Sequence, residues 1–467
     1  LTGGGRAADA ARTPPFKPWS DAIVKPLAEQ ILETYAPEPK YGRAFAFDPP
    51  VDLAHYAAFT EGQPFGAFKA MRENAPVCWC KEPPELGGGF WALTRYDDVR
   101  AVSLAPRVFS SQKGGILMAY GKPETRHALL HRASLDQMIN MDQPIHFELR
   151  REHLPFFTAK YVADLKCRVE AKVTHLLDAI APMGQCDLVE HVSAELPLYT
   201  LSEILGIPEG DRPKLVRWMH FLELAGYIVA EKNFGSIDPN FFAEFMSNVA
   251  EMFEYGRDIL LKRRAAPRED LLSALAHAKV QGDLLPDEYL DGSWLLIVFA
   301  GNDTTRNSIS GTMKLLTEFP AEKARVQANL ALLATMVDEA IRMVSPVMYM
   351  RRTATKDTDI RGQRIAEGEK VIMYYGAANR DPAVFADPDR FDAGRATAKD
   401  HVAFGIGPHV CLGQRVANMQ LEVVYRQILM RFPDMRWTGE IDIAPNNFVH
   451  AIRKLGVSFT PDKRRAA

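Results

Sequence analysis

The stretch FGIGPHVCLG, residues 404–413, sets one cysteine, Cys411, between a glycine-bearing approach and the start of a helix, with His409 two residues before it. Gly405 and Gly407 permit a tight turn that brings backbone N–H groups toward the sulfur. The helix that follows, from about Leu412, adds a dipole favourable to an anion. Such an arrangement suits a thiolate, whereas an isolated cysteine is otherwise an inert buried thiol. A second chemical stretch is AGNDTT, residues 300–305. Gly301, Asn302, Asp303, Thr304 and Thr305 are weak helix formers set directly after the apolar run WLLIVFAG, and polar groups beside a core destabilise unless they are paired or used. A third pair, Glu339 and Arg342 in DEAIRM, can face one another at i and i+3 of a helix.

The elements that must position these residues follow from pattern and punctuation. Pro286, with Asp287 and Glu288 in a first turn, and Pro320 bound one long helix over about 286–319, locally widened at 300–305. Residues 136–345 read as mainly helical, broken at GIPEGDRP and RRAAPRED. In 51–110, GFWALTR reads as a strand and RYDDVRAVSL as a short helix. VMYMRRTAT, TDIRGQRI and KVIMYY read as strands separated by turns. Helix returns after Cys411. The fold class is therefore α+β, mostly α, with a large helical portion and a smaller β-rich one.

Composition is that of an ordinary globular chain: 467 residues, 47% hydrophobic and 25% charged. A formal net charge of −3 gives no electrostatic reason to expect nucleic acid. Five scattered cysteines argue against a disulfide framework and for a reducing compartment, the cytoplasm. Cys78, Cys80, Cys167 and Cys186 read as structural, and the C-x-C at 78–80 lacks a second pair at zinc-finger spacing. No apolar run is long enough for a membrane anchor. The Gly-, Ala- and Pro-rich start reads as a flexible tail over 1–40, leaving a single domain over 41–467.

F-G-x-G-x-H-x-C-L-G at 404–413, A-G-x-D-T-T at 300–305 and E-x-x-R at 339–342 stand in the order and spacing of the cytochrome P450 superfamily, which the chain resembles from about 50 to 460. FDAGR at 391–395 is similar to the family's meander and MDQPIHFELRR at 141–151 to its C helix. The resemblance implies haem b ligated by Cys411, with Phe404, Gly405, Gly413 and Ala300 against the ring and His146, Arg150, Arg352 and His409 on its propionates. Adjacent Arg351 leaves the strand residue open by one position. Glu339, Arg342 and Arg395 correspond to a structural charge network. Asp303 and Thr304 correspond to the pair that delivers protons during oxygen activation.

Leu296, Phe299, Ala300, Val347 and Met348 fall where the family lines its substrate pocket. Polar contacts could come from His450, Asn447 or the 110–125 loop, and the Phe- and Met-rich stretch 215–256 corresponds to lid helices. The implied activity is a monooxygenase that hydroxylates a hydrophobic small molecule, a terpenoid, steroid side chain or alkyl compound, with O2. No flavin or iron–sulfur motif is present, so electrons would come from a [2Fe–2S] ferredoxin and its NAD(P)H-dependent reductase, met by Arg151 and Arg415. Peroxide-driven oxygenation and a non-catalytic haem sensor or carrier are the alternatives.

Overall fold

The computed structural model describes residues 38–82, 87–118, 128–219, 221, 239–280 and 282–462. Most of the expected tail over 1–40, part of the 110–125 loop and part of the 215–256 lid stretch lie outside the described residues. Helices dominate: α1 (Phe65–Asn74), α2 (Tyr96–Ser103), α3 (Ala128–Leu135), α4 (Ile145–His153), α5 (Ala159–Ile180), α6 (Glu195–Leu205), α7 (Pro239–Ala265), α8 (Leu271–Ala276), α9 (Asp287–Ala300), α10 (Asp303–Glu318), α11 (Pro320–Ala328), α12 (Leu333–Val344), α13 (Tyr375–Ala378) and α14 (Gln414–Arg431).

A smaller β portion is built on a five-stranded sheet, in spatial order Val77–Lys81 (β1), Gly89–Leu93 (β2), Lys370–Tyr374, Tyr349–Ala354 and Phe109–Ser110. In chain order Phe109–Ser110 is β3. The short strands Gln185–Asp187, Lys279–Val280 and Asp283–Leu284 are β4 to β6, and Tyr349–Ala354 is β7. Thr358–Ile360 and Gln363–Ile365 (β8 and β9) form a hairpin, and Lys370–Tyr374 is β10. β10 pairs in parallel with β2 and antiparallel with β7, placing Val371 opposite Arg352.

Both faces of this sheet are covered. Phe90, Ala92, Ile372 and Tyr374 face one apolar cluster, while Trp91, Leu93, Val371 and Met373 face another. GFWAL and the VIMY of β10 are therefore continuous non-charged runs rather than alternating ones, as strands buried on two sides must be, and the buried Lys370 that opens β10 is paired with Glu82. A third, larger cluster fills the helical portion and joins α5, α6, α9, α10, α12 and α14.

The expected single helix over 286–319 is two helices. α9 ends at Ala300, Gly301 and Asn302 form a turn, and α10 begins at Asp303. The polar cluster interrupts the backbone ladder rather than merely widening it. The helix after Cys411 starts at Gln414, later than Leu412, with Gly413 at its N-cap. Two long strands went unforeseen, Arg436–Ile443 (β11) and Ile452–Ser458 (β12), which pair with each other and with β4. β11 is exposed or half-buried throughout and carries Thr, Gly, Glu and Asp, so it offers no apolar signal.

Candidate functional site

The cysteine loop is closed by two backbone bonds, Gly405 N–H to the Val402 carbonyl at 2.8 Å and Cys411 N–H to the Phe404 carbonyl at 2.8 Å. Gly407 has φ +74° and packs so tightly that a Cβ there would lie 2.9 Å from the Ser103 carbonyl oxygen. Only glycine meets both conditions without strain. The N–H groups that reach the Cys411 sulfur are those of Gly413 and Gln414. They come from the start of α14, not from the Gly405–Gly407 turn that the sequence suggested.

The surroundings of Cys411 are interior, and burial pushes its thiol up from the ordinary value against those two N–H groups and the charge of Arg150. Its side chain nevertheless has accessible surface. The sulfur is thus surrounded by protein without being packed over on every side. Ala300 is exposed at the end of α9, while Trp294, Leu295 and Val298 on the preceding turns are 1%, 3% and 0% exposed. Leu296, Phe299 and Thr304 are half-buried on the distal helices, as are Phe404, Leu412 and Gly413 beside the sulfur. Met348 differs from the expectation: it is 1% exposed and packed into a sheet-side cluster, so it presents almost no surface to any gap. Val347, half-buried, bridges Val449.

Four nitrogen-bearing side chains gather beside this loop. The His146 and His409 rings lie 4.1 Å apart, and Arg352 and Arg150 act on both of them. Burial, then Arg150 and Arg352, hold His146 down to about 4; burial, then Arg352, His146 and Arg150, hold His409 down to about 2. Both rings are thus neutral N–H donors at neutral pH. Arg352 is 4% exposed, and among the described residues the only acceptor seen for it is the adjacent Arg351 carbonyl at 2.7 Å. Asp142 is within electrostatic reach, but its oxygens accept from the Ser110 hydroxyl and, at 2.9 Å, from the Ser111 amide. Among the described residues none of the four forms an ion pair.

Buried cations without a counter-ion are costly. The donor set therefore fits an anionic group, and the carboxylates of a haem have the required chemistry. Of the two neighbouring arginines, Arg352 acts on the imidazole pair, whereas Arg351 reaches the Leu117 carbonyl at 3.5 Å and the Thr353 hydroxyl at 3.2 Å. Arg150 spends Nη2 on the Val410 carbonyl at 2.7 Å, tying α4 to the cysteine loop. Ser111, whose hydroxyl is 3.2 Å from His409 Nε2, was not foreseen, and a lone loop serine carries no signal that would reveal it.

At the α9–α10 break Asp303 is 4% exposed. Thr304 Oγ1 donates back to the Ala300 carbonyl at 3.2 Å, across the interruption. Asn307 braces the same turn, donating to the Asp303 carbonyl at 2.7 Å and accepting from Ile452 N–H at 2.7 Å. Asn447 donates to the Ala54 carbonyl at 3.3 Å. His450 stands beside Gly62, and its Nδ1 is buried with no hydrogen-bond partner.

The model of the family described as Cytochrome P450 matches residues 232–438. Linalool 8-monooxygenase of Pseudomonas putida is 34% identical over 88% of this chain and 99% of its own. Steroid C26-monooxygenase of Mycolicibacterium smegmatis is 32% identical over 88% of this chain and 97% of its own. Among solved structures, a cytochrome P450 of Mycobacterium marinum in complex with pseudoionone superimposes with a TM-score of 0.78 at 33% identity, covering 89% of this chain and all of that one. Cytochrome P450-153 from Novosphingobium aromaticivorans also gives 0.78, at 30% identity over 87% of this chain and 99% of that one.

Proposed function

Since the chain belongs to the cytochrome P450 family and is a monooxygenase with haem b as its cofactor, we propose that Cys411 ligates the iron and that Asp303 and Thr304 bring protons to the oxygen side. When bound, haem b supplies the iron chemistry by which O2, two electrons and two protons convert a C–H bond to C–OH and release one water. The observation that supports the assignment of residues is the donor set of Arg352, Arg150, His146 and His409, without an ion-pair partner among the described residues, beside an enclosed sulfur that still has open surface. The two N–H groups from Gly413 and Gln414 stabilise the thiolate and temper its electron donation.

Ala300 would leave room beside a bound haem, and Leu296, Phe299 and Val347 would offer apolar contact to a substrate. The substrate class we assign is a hydrophobic small molecule: a terpenoid, a steroid side chain or an alkyl compound. It is supported by that apolar lining and by relatives named for linalool, methyl-branched lipid and steroid hydroxylation. Thr304 holds its hydroxyl on the Ala300 carbonyl and must turn from it to donate elsewhere. Asp303, one residue before, is the acid that resupplies it.

Electrons come from a [2Fe–2S] ferredoxin with its NAD(P)H-dependent reductase, for which Arg151 and Arg415 are the docking charges. Both are exposed, on α4 and α14, the helices that flank the cysteine loop. No described helix is long and apolar enough to cross a membrane.

The test is Thr304→Ala in the holoenzyme, turned over with a ferredoxin and reductase. Haem content, the red-shifted Soret band of the reduced carbon monoxide complex and the substrate-induced spectral shift should persist, while electrons divert from product to peroxide or excess water. Wild-type coupling of NADH to product in that variant would remove Thr304 from proton delivery.

A further inference from the structure

The turn after β3 adjoins three members of the donor nest. Ser110 ends β3 and pairs with Thr353, the residue after Arg352 on β7. Ser111, the next residue, sets its hydroxyl 3.2 Å from His409 Nε2. Both serines are sealed, at 2% and 1% exposed. What holds them is Asp142, just ahead of α4. Its carboxylate accepts from the Ser110 hydroxyl and, at 2.9 Å, from the Ser111 amide, while its own amide donates to Gln112 Oε1 at 3.3 Å. The Lys113 amide closes the turn on Ser110 Oγ at 2.9 Å. The Asp142 carbonyl accepts from His146 N–H at 3.1 Å. One residue thus serves both rings, His146 through the main chain of α4 and His409 through the turn.

By charge alone Asp142 is misplaced. A carboxylate within electrostatic reach of Arg352 and His146 opposes the arrival of another anion, so what recommends it here is the geometry it enforces. An imidazole can turn about its outer side-chain bond and, when neutral, present either a donor or an acceptor on a given edge. A hydroxyl bonded to one nitrogen removes that freedom and holds the rest of the ring in a single direction. Among the described residues the Ser111 hydroxyl is the one hydrogen-bond partner seen for the His409 side chain. The bonds that fix Ser111 in turn end on an ionised acceptor, which makes them strong ones.

We propose that Ser111 is a positioning residue for the haem: clamped by Asp142, its hydroxyl fixes the His409 ring so that the ring meets a haem carboxylate in one orientation. No covalent bond is made or broken. The role of Ser111 rests on the assignment of His409 to the haem carboxylates given above.

The test is a cycle of Ser111→Ala, His409→Ala and the double variant in the haem-loaded protein, each read as the rate of haem transfer to apomyoglobin, with Asp142→Asn and D142N/S111A alongside. The red-shifted Soret band of the reduced carbon monoxide complex should persist in S111A, so that release is compared with the thiolate in place. S111A should release haem several-fold faster than wild type, and H409A faster still. S111A should add nothing in the H409A background, because its effect passes through that ring. D142N keeps the volume and removes the charge. It should also speed release several-fold, with no further gain in D142N/S111A, although loss of a repelling charge by itself would slow it. Should S111A fail to hold haem, Ser111→Cys, similar in volume and a weak hydrogen-bonding group, carries the same cycle. A wild-type rate in S111A, loss of the Soret band there, or effects of S111A and H409A that multiply overturns the role of Ser111. Release from D142N at or below the wild-type rate overturns the clamp. A wild-type rate in H409A instead overturns the assignment of His409 on which the role rests.

Discussion

At Cys411, burial opposes the thiolate, while two amides at a helix start and one guanidinium favour it. His401 is a simpler case of the same contest. It is 9% exposed, accepts from Ala403 N–H at 3.2 Å, and is held down to about 4 by burial and then by the charge of Arg342. Between its ordinary 6.5 and 4 the unfolded chain takes up a proton that the folded one refuses. Its contribution to stability is therefore complete above pH 6.5 and is lost as pH falls toward 4. His401→Asn keeps an acceptor without the titration. The loss of stability between pH 7 and 5, measured by urea unfolding, should shrink by ~2 kcal/mol at about 1.4 kcal/mol per pH unit; an unchanged difference would show that His401 does not titrate in this window. A pairing was legible where a spaced motif carried it, as for Glu339 and Arg342. The setting of Met348 was not legible, because an apolar residue next to a pocket and one sealed in a sheet core look the same in sequence.

Among the elements, the pair α9 and α10 shows what periodicity conveys and what it omits. Apolar spacing and flanking prolines placed both outer ends, whereas the break at Gly301–Asn302 depends on which carbonyls the Thr304 and Asn307 side chains reach. Propensity marks such a place without deciding its geometry. Strands buried on both faces were readable as apolar runs; β11, largely open to solvent, was not. In the cysteine loop, Gly407 packs closely against the Ser103 carbonyl. Gly407→Ala must tolerate both φ +74° and a Cβ 2.9 Å from the Ser103 oxygen. It should cost about 1–3 kcal/mol of local stability, read as faster haem transfer to apomyoglobin with little change in the absorbance of the protein that still holds haem. Retention equal to wild type would mean that the loop has slack.

Across the whole molecule, one charge cluster links distant parts of the chain. Glu339 and Arg342 are both fully buried, joined at 2.7 and 2.8 Å, and Arg395 adds 2.9 and 3.0 Å contacts to the same carboxylate. Arg342 also donates to the carbonyls of Asn379 at 2.6 Å and Pro388 at 2.9 Å. An E-x-x-R pair alone reads as surface charge, and only the FDAGR stretch nearby in the family pattern indicated burial. Glu339→Gln leaves two buried guanidinium groups facing a neutral amide and should cost roughly 3–5 kcal/mol, measured as a lower urea midpoint and a reduced yield of haem-loaded protein. A midpoint like that of wild type would show that the backbone carbonyls alone satisfy both arginines.

The donor nest recruits His146 from α4, Arg352 from the sheet and His409 from the cysteine loop, three segments more than two hundred and fifty residues apart from first to last. Each brings at least one hydrogen-bond donor, and Arg352 brings donors alone. An acidic group bound among them would be gripped from the helical portion, the sheet and the cysteine loop at once, so one molecule would fasten three distant stretches of the chain together.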